Sequence, residues 1–405
     1  MEQPRLTSRG LVLASALALM SLTLFVACRG SPPSLVPETP PTPEVAAPSP
    51  PPTVSPTPTP TPVPTPVPTP VPKPSPTSVV ASYLEQAYKY AGQGYYELAI
   101  RYLDEAVQRS PKDAEAYTLR GAAYLKLGQL RRAITDLDLA IELDRKSTVA
   151  YSNRGVAYEQ LGQFRRAIDD YAEAIQIDPR YVAAYHNRAM VYYFLDLLFL
   201  AMTDFNEIMD LDPGAAEPHW WRGIVYRRLG LPHRALDDFD QAVLLDPTFE
   251  EAYFSRGLTY LSMGQPLAAI SDLDTVIGLN PRHAVAYNNR GVAHKRLGEL
   301  DRAREDFDAA VIFEPRYATA YHNRGDVHLD SDAYELALQD FDAAIRLDPE
   351  LGPAYAGRAL VHVAFGNDVR ANEDVATALA LGFDRAYLER RILEILRQRQ
   401  PAGVS

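Results

Sequence analysis

The sequence has 405 residues, 47 % of them hydrophobic, and a formal net charge of −12. That balance excludes nonspecific nucleic-acid binding, which needs a clustered basic surface to neutralise phosphates. The single cysteine excludes an intramolecular disulfide, and the prolines crowd into the first 80 residues.

At the N-terminus, Arg5 and Arg9 precede an uncharged apolar run over residues 11–27 that ends at Cys28. A basic start, an apolar core and small residues before a cut site are the plan of an export signal. The segment Leu24-Phe25-Val26-Ala27-Cys28 resembles the lipobox of bacterial lipoproteins, whose cysteine is acylated and becomes the mature N-terminus. Phe25 departs from the usual Leu, Val or Ile, and Arg29 stands where an inner-membrane retention Asp would be. The alternative is an uncleaved signal anchor, because the run is only slightly shorter than a span of about 20 residues. Both readings expect a chain held on the outer, extracytoplasmic face of a membrane, with Cys28 as the lipidation site.

Residues 29–79 form the next segment, with repeated X-Pro pairs that are most regular over residues 57–64. Proline fixes its own φ and drives the preceding residue toward extended conformations. Polyproline II follows, at ~3.1 Å per residue, and the expectation is a semi-rigid stalk reaching on the order of 140 Å.

From residue 80 to 385 the chain repeats every 34 residues, nine times, without insertion or deletion. The twentieth residue is always alanine, from Ala99 and Ala133 to Ala371, and the eighth is always Gly or Ala. Two small residues let two helix backbones approach closely. Apolar residues at the fourth, eighth and eleventh places have helical spacing. Gly128, Gly162, Gly230, Gly264 and Gly298 fall where the first helix must end, suiting a left-handed cap. Asp196 and Asp332 take that place in two units, reaching the left-handed region at some cost. Prolines such as Pro111, Pro179 and Pro213 stop the second helix, and Pro232 and Pro266 open second helices where no N–H is needed.

This pattern resembles the tetratricopeptide repeat (TPR) in its period and in its small-residue, Gly and Pro positions. The resemblance implies an all-α fold: a right-handed superhelical solenoid of nine TPR helical hairpins with a concave groove. Each unit alone cannot bury its apolar face, and stacking creates the core. Residues 386–405 supply a capping helix and tail, with Tyr387, Leu388, Ile392, Ile395 and Leu396 apolar and Arg390, Arg391, Arg397 and Arg399 opposite.

Units two to nine carry arginine at the seventh place and aspartate at the twenty-third: Arg120 and Asp136, Arg154 and Asp170, Arg188 and Asp204, Arg222 and Asp238, Arg256 and Asp272, Arg290 and Asp306, Arg324 and Asp340, Arg358 and Asp374. Unit one lacks both, with Gln86 and Tyr102. Joint presence and absence predict structural ion pairs inside each hairpin, worth about 0–1 kcal/mol each if exposed. His294, His328 and His362 share the eleventh place of the last three units. Equal places on adjacent helices stand ~8–10 Å apart, too far to share one metal ion, so no metal is expected there.

TPR proteins commonly bind peptides along the concave face formed by first helices. On that face units four to seven carry Tyr193, Phe194, Trp220, Arg227, Arg228, Phe254, Lys295 and Arg296, with Trp221 adjacent. Aromatics with arginines are frequent interface anchors, so these residues form the expected partner-binding groove, preferring an acidic or aromatic-bearing segment. No phosphate loop, nucleophile elbow or metal-ligand cluster is present in the sequence, and no enzyme activity or cofactor is expected. The expected function is a membrane-tethered scaffold that binds protein or peptide partners at the cell envelope. One alternative is a self-associating structural subunit joined through the Leu-rich residues 195–200. A weaker one is a groove for envelope glycan or lipid.

Overall fold

The computed structural model describes residues 76–399. Cys28, the export signal and the proline segment up to residue 75 lie outside the described residues, as do residues 400–405. The described chain is helical throughout, with nineteen helices and no strand among the described residues. They are α1 (Pro76–Gly92), α2 (Tyr96–Arg109), α3 (Ala114–Lys126), α4 (Leu130–Leu143), α5 (Thr148–Gln160), α6 (Phe164–Ile177), α7 (Val182–Phe194), α8 (Leu198–Leu211), α9 (Ala216–Arg228) and α10 (Pro232–Leu245). They continue as α11 (Glu250–Ser262), α12 (Pro266–Leu279), α13 (Ala284–Arg296), α14 (Leu300–Phe313), α15 (Ala318–Asp330), α16 (Tyr334–Leu347), α17 (Gly352–Phe365), α18 (Asp368–Ala380) and α19 (Arg385–Arg399). The first helix begins at Pro76, four residues inside the segment assigned to the stalk.

These residues fall into two compact units divided inside α7, between Asn187 and Arg188. Within each unit, odd- and even-numbered helices pair as hairpins, and each second helix packs on the first helix of the following hairpin.

Local chemistry explains the hairpins. The fifteenth residue of every repeat has positive φ, including Gly128 at 69° and, without glycine's freedom, Asp196 at 62° and Asp332 at 58°. This left-handed residue closes the first helix: Gln129 N–H donates to Tyr124 O at 2.9 Å and Gly128 N–H to Leu125 O. Elsewhere, Asp113 and Ser147 cap their helices through side chains that accept from Ala116 and Ala150 N–H. Pro232 and Pro266 occupy first helical positions.

Close approach inside the hairpin sets the eighth residue. A Cβ placed on Gly223 would lie 2.6 Å from the Phe239 ring, and one on Gly155 2.6 Å from Tyr171. At the eighth place glycine leaves room for a second-helix side chain, an aromatic ring at Gly155, Gly223, Gly291 and Gly325 and Leu137 at Gly121. The alanines of the twentieth place, such as Ala133, Ala235 and Ala303, are fully buried against it. In the second unit, α19 packs on α17. Its Leu388 and Ile395 are buried with Leu329, Phe341 and Leu360, and Ile392 is partly buried there, whereas Tyr387 and Leu396 are exposed.

Candidate protein-binding face

All eight arginine–aspartate pairs of the ladder are in contact. In the first unit, Arg120 Nε and Nη2 donate to the two Asp136 oxygens at 2.7 and 2.8 Å, and Arg154 holds Asp170 likewise. In the second unit the same fork joins Arg188 to Asp204, Arg222 to Asp238, Arg256 to Asp272, Arg290 to Asp306, Arg324 to Asp340 and Arg358 to Asp374. The aspartates are buried, so these are interior rather than exposed pairs. The Asp136 hydrogen bonds hold the Arg120 guanidinium above its ordinary pKa. Tyrosines of the fourth place, such as Tyr117 and Tyr253, stack on the guanidinium at 5.4 and 5.3 Å.

The arginines also do something that pairwise spacing did not reveal. The remaining Nη1 of Arg120, Arg154, Arg256, Arg290, Arg324 and Arg358 donates to Asp104, Asp138, Asp240, Asp274, Asp308 and Asp342 of the preceding hairpin. Arg222 meets Asn206 in the same way. Each of these guanidinium groups thus ties two hairpins together. The signal was present in the sequence as an aspartate two residues after the twenty-third place in units one, two and five to eight, replaced by Ala172 in unit three and Asn206 in unit four. Unit one keeps Asp104 although it lacks the ladder pair, and the last unit has Ala376 there, with no hairpin arginine to follow.

The histidines of the eleventh place face the ladder, not one another. His294 Nε2 lies 3.9 Å from Asp306, His328 Nε2 3.7 Å from Asp340 and His362 Nε2 3.8 Å from Asp374. His294 Nδ1 is also 2.6 Å from Glu299 Oε2.

The expected groove residues divide into two groups, and several need correction. Trp221 is not a groove residue: it is buried, stacked on Phe205 at 6.3 Å and edge-on to Tyr193 at 5.9 Å. Its place, one residue beyond Trp220, turns it about 100° toward the hairpin interior. Arg228 and Arg296 are engaged with the preceding hairpin. Arg228 Nη1 donates to Tyr193 O at 3.1 Å and its Nε pairs with Asp196, while Arg296 Nη1 donates to Leu261 O. Both add a second donor to a carbonyl at the end of a first helix, which also accepts from the turn N–H of Asp196 or Gly264. Lys295 is paired with Asp326 at 3.0 Å and Asp330 at 3.5 Å.

What remains on the first-helix face is Arg227 and a set of half-buried rings. Arg227 has no hydrogen bond or ion pair among the described residues, and burial lowers its pKa from the ordinary arginine value. Trp220 and Ile224 precede it by seven and three residues on one face of α9. Trp220 Nε1 donates to Ser255 Oγ at 2.9 Å, and its ring meets Phe249 at 5.6 Å. Phe254 lies 5.1 Å from His283, and Tyr193 carries Arg228 over its ring at 4.9 Å. Phe194 is half-buried at the end of α7.

Comparison with known proteins agrees with this geometry. Family profiles described as tetratricopeptide or TPR repeats match residues 80–113, 102–135, 123–162, 148–181, 254–314 and 295–352. No curated protein matches the sequence. Among solved structures, the C-terminal part of a TPR repeat-containing protein from Cytophaga hutchinsonii is 14 % identical with a TM-score of 0.50, over 59 % of this chain and 98 % of that one. YrrB, described as a TPR protein with an unusual peptide-binding site, is 25 % identical over 46 % of this chain and 96 % of its own, with a TM-score of 0.40. The MamA protein is 26 % identical over 43 % and 95 %, with a TM-score of 0.39. The repeat period, the left-handed turn of every hairpin and the profile matches together make this chain a tetratricopeptide-repeat protein.

Proposed function

We propose that this chain is a membrane-tethered scaffold at the cell envelope that takes a peptide segment or partner protein on the first-helix face of α9 and α11. The observation that supports this reading most is Arg227. A half-buried guanidinium without an anion forgoes much of its hydration and gains no ion pair in return. A partner carboxylate arriving there would restore what is missing, with Trp220, Ile224 and Phe254 offering apolar contact beside it. The other basic residues of the face are already spent on the fold, which narrows the partner to one acidic group flanked by apolar or aromatic side chains. The tether rests on the sequence resemblance of the first 28 residues to a lipoprotein signal.

The test is a photo-crosslinking side chain at position 224 in cells. Capture of a discrete partner that disappears with Arg227→Glu supports the reading; capture unchanged by that substitution overturns it. Cys28→Ala should release the chain from the membrane fraction if the cysteine carries the lipid.

A second reading has one observation in its favour. Leu195, Leu197, Phe199 and Leu200 are all exposed, Phe199 by 74 %, where hairpins two and three carry Gln and Arg at three of these four places. An apolar cluster of this kind suits contact between copies of the chain. Light scattering that returns a concentration-independent monomer removes it. The glycan or lipid reading is weaker, because Trp221 is buried and the Trp220 indole N–H is already committed to Ser255.

A further inference from the structure

First helices in the second unit are tied to their neighbours one repeat along. Trp220 of α9 donates to Ser255 of α11, Asn323 of α15 donates to Asn288 of α13 at 2.8 Å, and Lys295 of α13 reaches Asp326 of α15. The last helix follows another rule. In sequence α19 begins where the first helix of a tenth hairpin would start, yet Arg391 Nη2 donates to Asp330 Oδ1 at 3.0 Å, a residue of α15 two first helices back. Its buried Leu388 and Ile395 share a cluster with Leu329 of α15 and Leu360 of α17. The helix therefore lies across the first-helix face of the last two hairpins instead of extending the stack.

The chemistry beneath it is specific. A cavity of ≈ 240 Å³ is bounded by Lys295, His322, Asp326, Leu360, Leu388 and Arg391, among others. Asp326 and Asp330 share the single Lys295 ammonium, and Arg391 supplies the second cation. With α19 lifted away, two carboxylates would face one ammonium above an apolar floor of Leu329 and Leu360. Such a surface fits an amphipathic helix bearing a cation one turn from its apolar row. α19 meets that description with five arginines against two glutamates, and with Leu388, Ile392 and Ile395 spaced along one face. Among its side chains whose burial is described, only Leu388 and Ile395 are buried, and Gly382 in the connector has a φ of 84°.

We propose that α19 is a resident ligand of this face, occupying in cis the site for a basic amphipathic helix of a partner protein, and that it must leave before that partner binds. The site is separate from the one on α9 and α11 and does not depend on it. The probe is a fluorescent synthetic peptide of residues 385–399, titrated against the full chain and read by anisotropy. Leu388→Ala combined with Arg391→Glu should free residues 385–399 to hydrogen exchange and raise peptide affinity at least tenfold over the unaltered chain. Adding Asp330→Lys should erase that gain. Arg391→Glu alone, which keeps the apolar contact, serves if the double variant misfolds and should give a smaller gain. The proposal is overturned if residues 385–399 stay protected in the released variants. It also fails if the freed chain binds no better than the unaltered one, or if the gain survives Asp330→Lys.

Discussion

Arg256 Nη1 donates to Asp240 Oδ1 across 2.7 Å, linking one hairpin to the one before it, while Nε and Nη2 of the same guanidinium hold Asp272 inside its own hairpin. The two aspartates are not equivalent. Asp272 is 4 % exposed, whereas the Asp240 side chain is 52 % exposed. Arg256→Ala would leave Asp272 buried without its cation, a loss of about 3–5 kcal/mol. Asp240→Ala removes only a solvent-screened partner and should cost about 0–1 kcal/mol. Urea unfolding midpoints of the two variants check this, and equal shifts would contradict the assignment. The expectation of a modest effect at Arg256 assumed exposed pairs, and burial of the aspartates revises it upward.

The eighth-place glycines make a prediction about packing. Gly223→Ala puts a methyl group 2.6 Å from the Phe239 ring, which is fully buried and cannot swing away. Overpacking of this kind costs about 1–3 kcal/mol. Gly278 lies in α12 with nothing within 4 Å of its added Cβ. Gly278→Ala should instead stabilise by about 0.5–1 kcal/mol through helix propensity. Thermal melts of the two variants should move in opposite directions.

The two tryptophans should behave differently in solution. Trp220→Phe leaves Trp221 stacked on Phe205 and shielded, so its emission should be blue-shifted and poorly quenched by acrylamide. Trp221→Phe leaves the half-buried Trp220, with redder and more readily quenched emission. The same quenching for both would return Trp221 to the surface.

Much of this was legible from residue spacing. A strict period carries the hairpins, the left-handed turn at Asp196 and the pairing of Arg256 with Asp272, because each recurs at a fixed offset within one repeat. The bond from Arg256 to Asp240 joins different repeats, and a period alone does not say which copy a side chain faces. Trp220 and Trp221 are neighbours in sequence, and only the rotation of α9 against α8 decides which is buried. Arg228 and Lys295 read as free cations because the carbonyl of Tyr193 and the carboxylates of Asp326 and Asp330 come from other hairpins. The crossing of α19 over α15 was invisible for a related reason, since it breaks the repeat that made the rest readable.

Glu159 offers a test of pH dependence in the first unit. The Tyr171 hydroxyl, fully buried, donates to Glu159 Oε2 at 2.8 Å. Burial pushes the Glu159 carboxyl up to about 7, against the opposing pull of that hydrogen bond. Since the folded value is raised, the folded chain binds the proton more tightly than the unfolded one. Stability from this group is complete below the unfolded value of 4.5 and is lost as pH rises through about 7. The full loss amounts to at most about 3 kcal/mol. Glu159→Gln keeps an oxygen for the Tyr171 hydroxyl and cannot ionise. It should match the unaltered chain near pH 4.5 and exceed it in urea midpoint at pH 8. A variant that is less stable at pH 8 than the unaltered chain would show that the ionised carboxylate, and not the neutral acid, is the form the fold prefers.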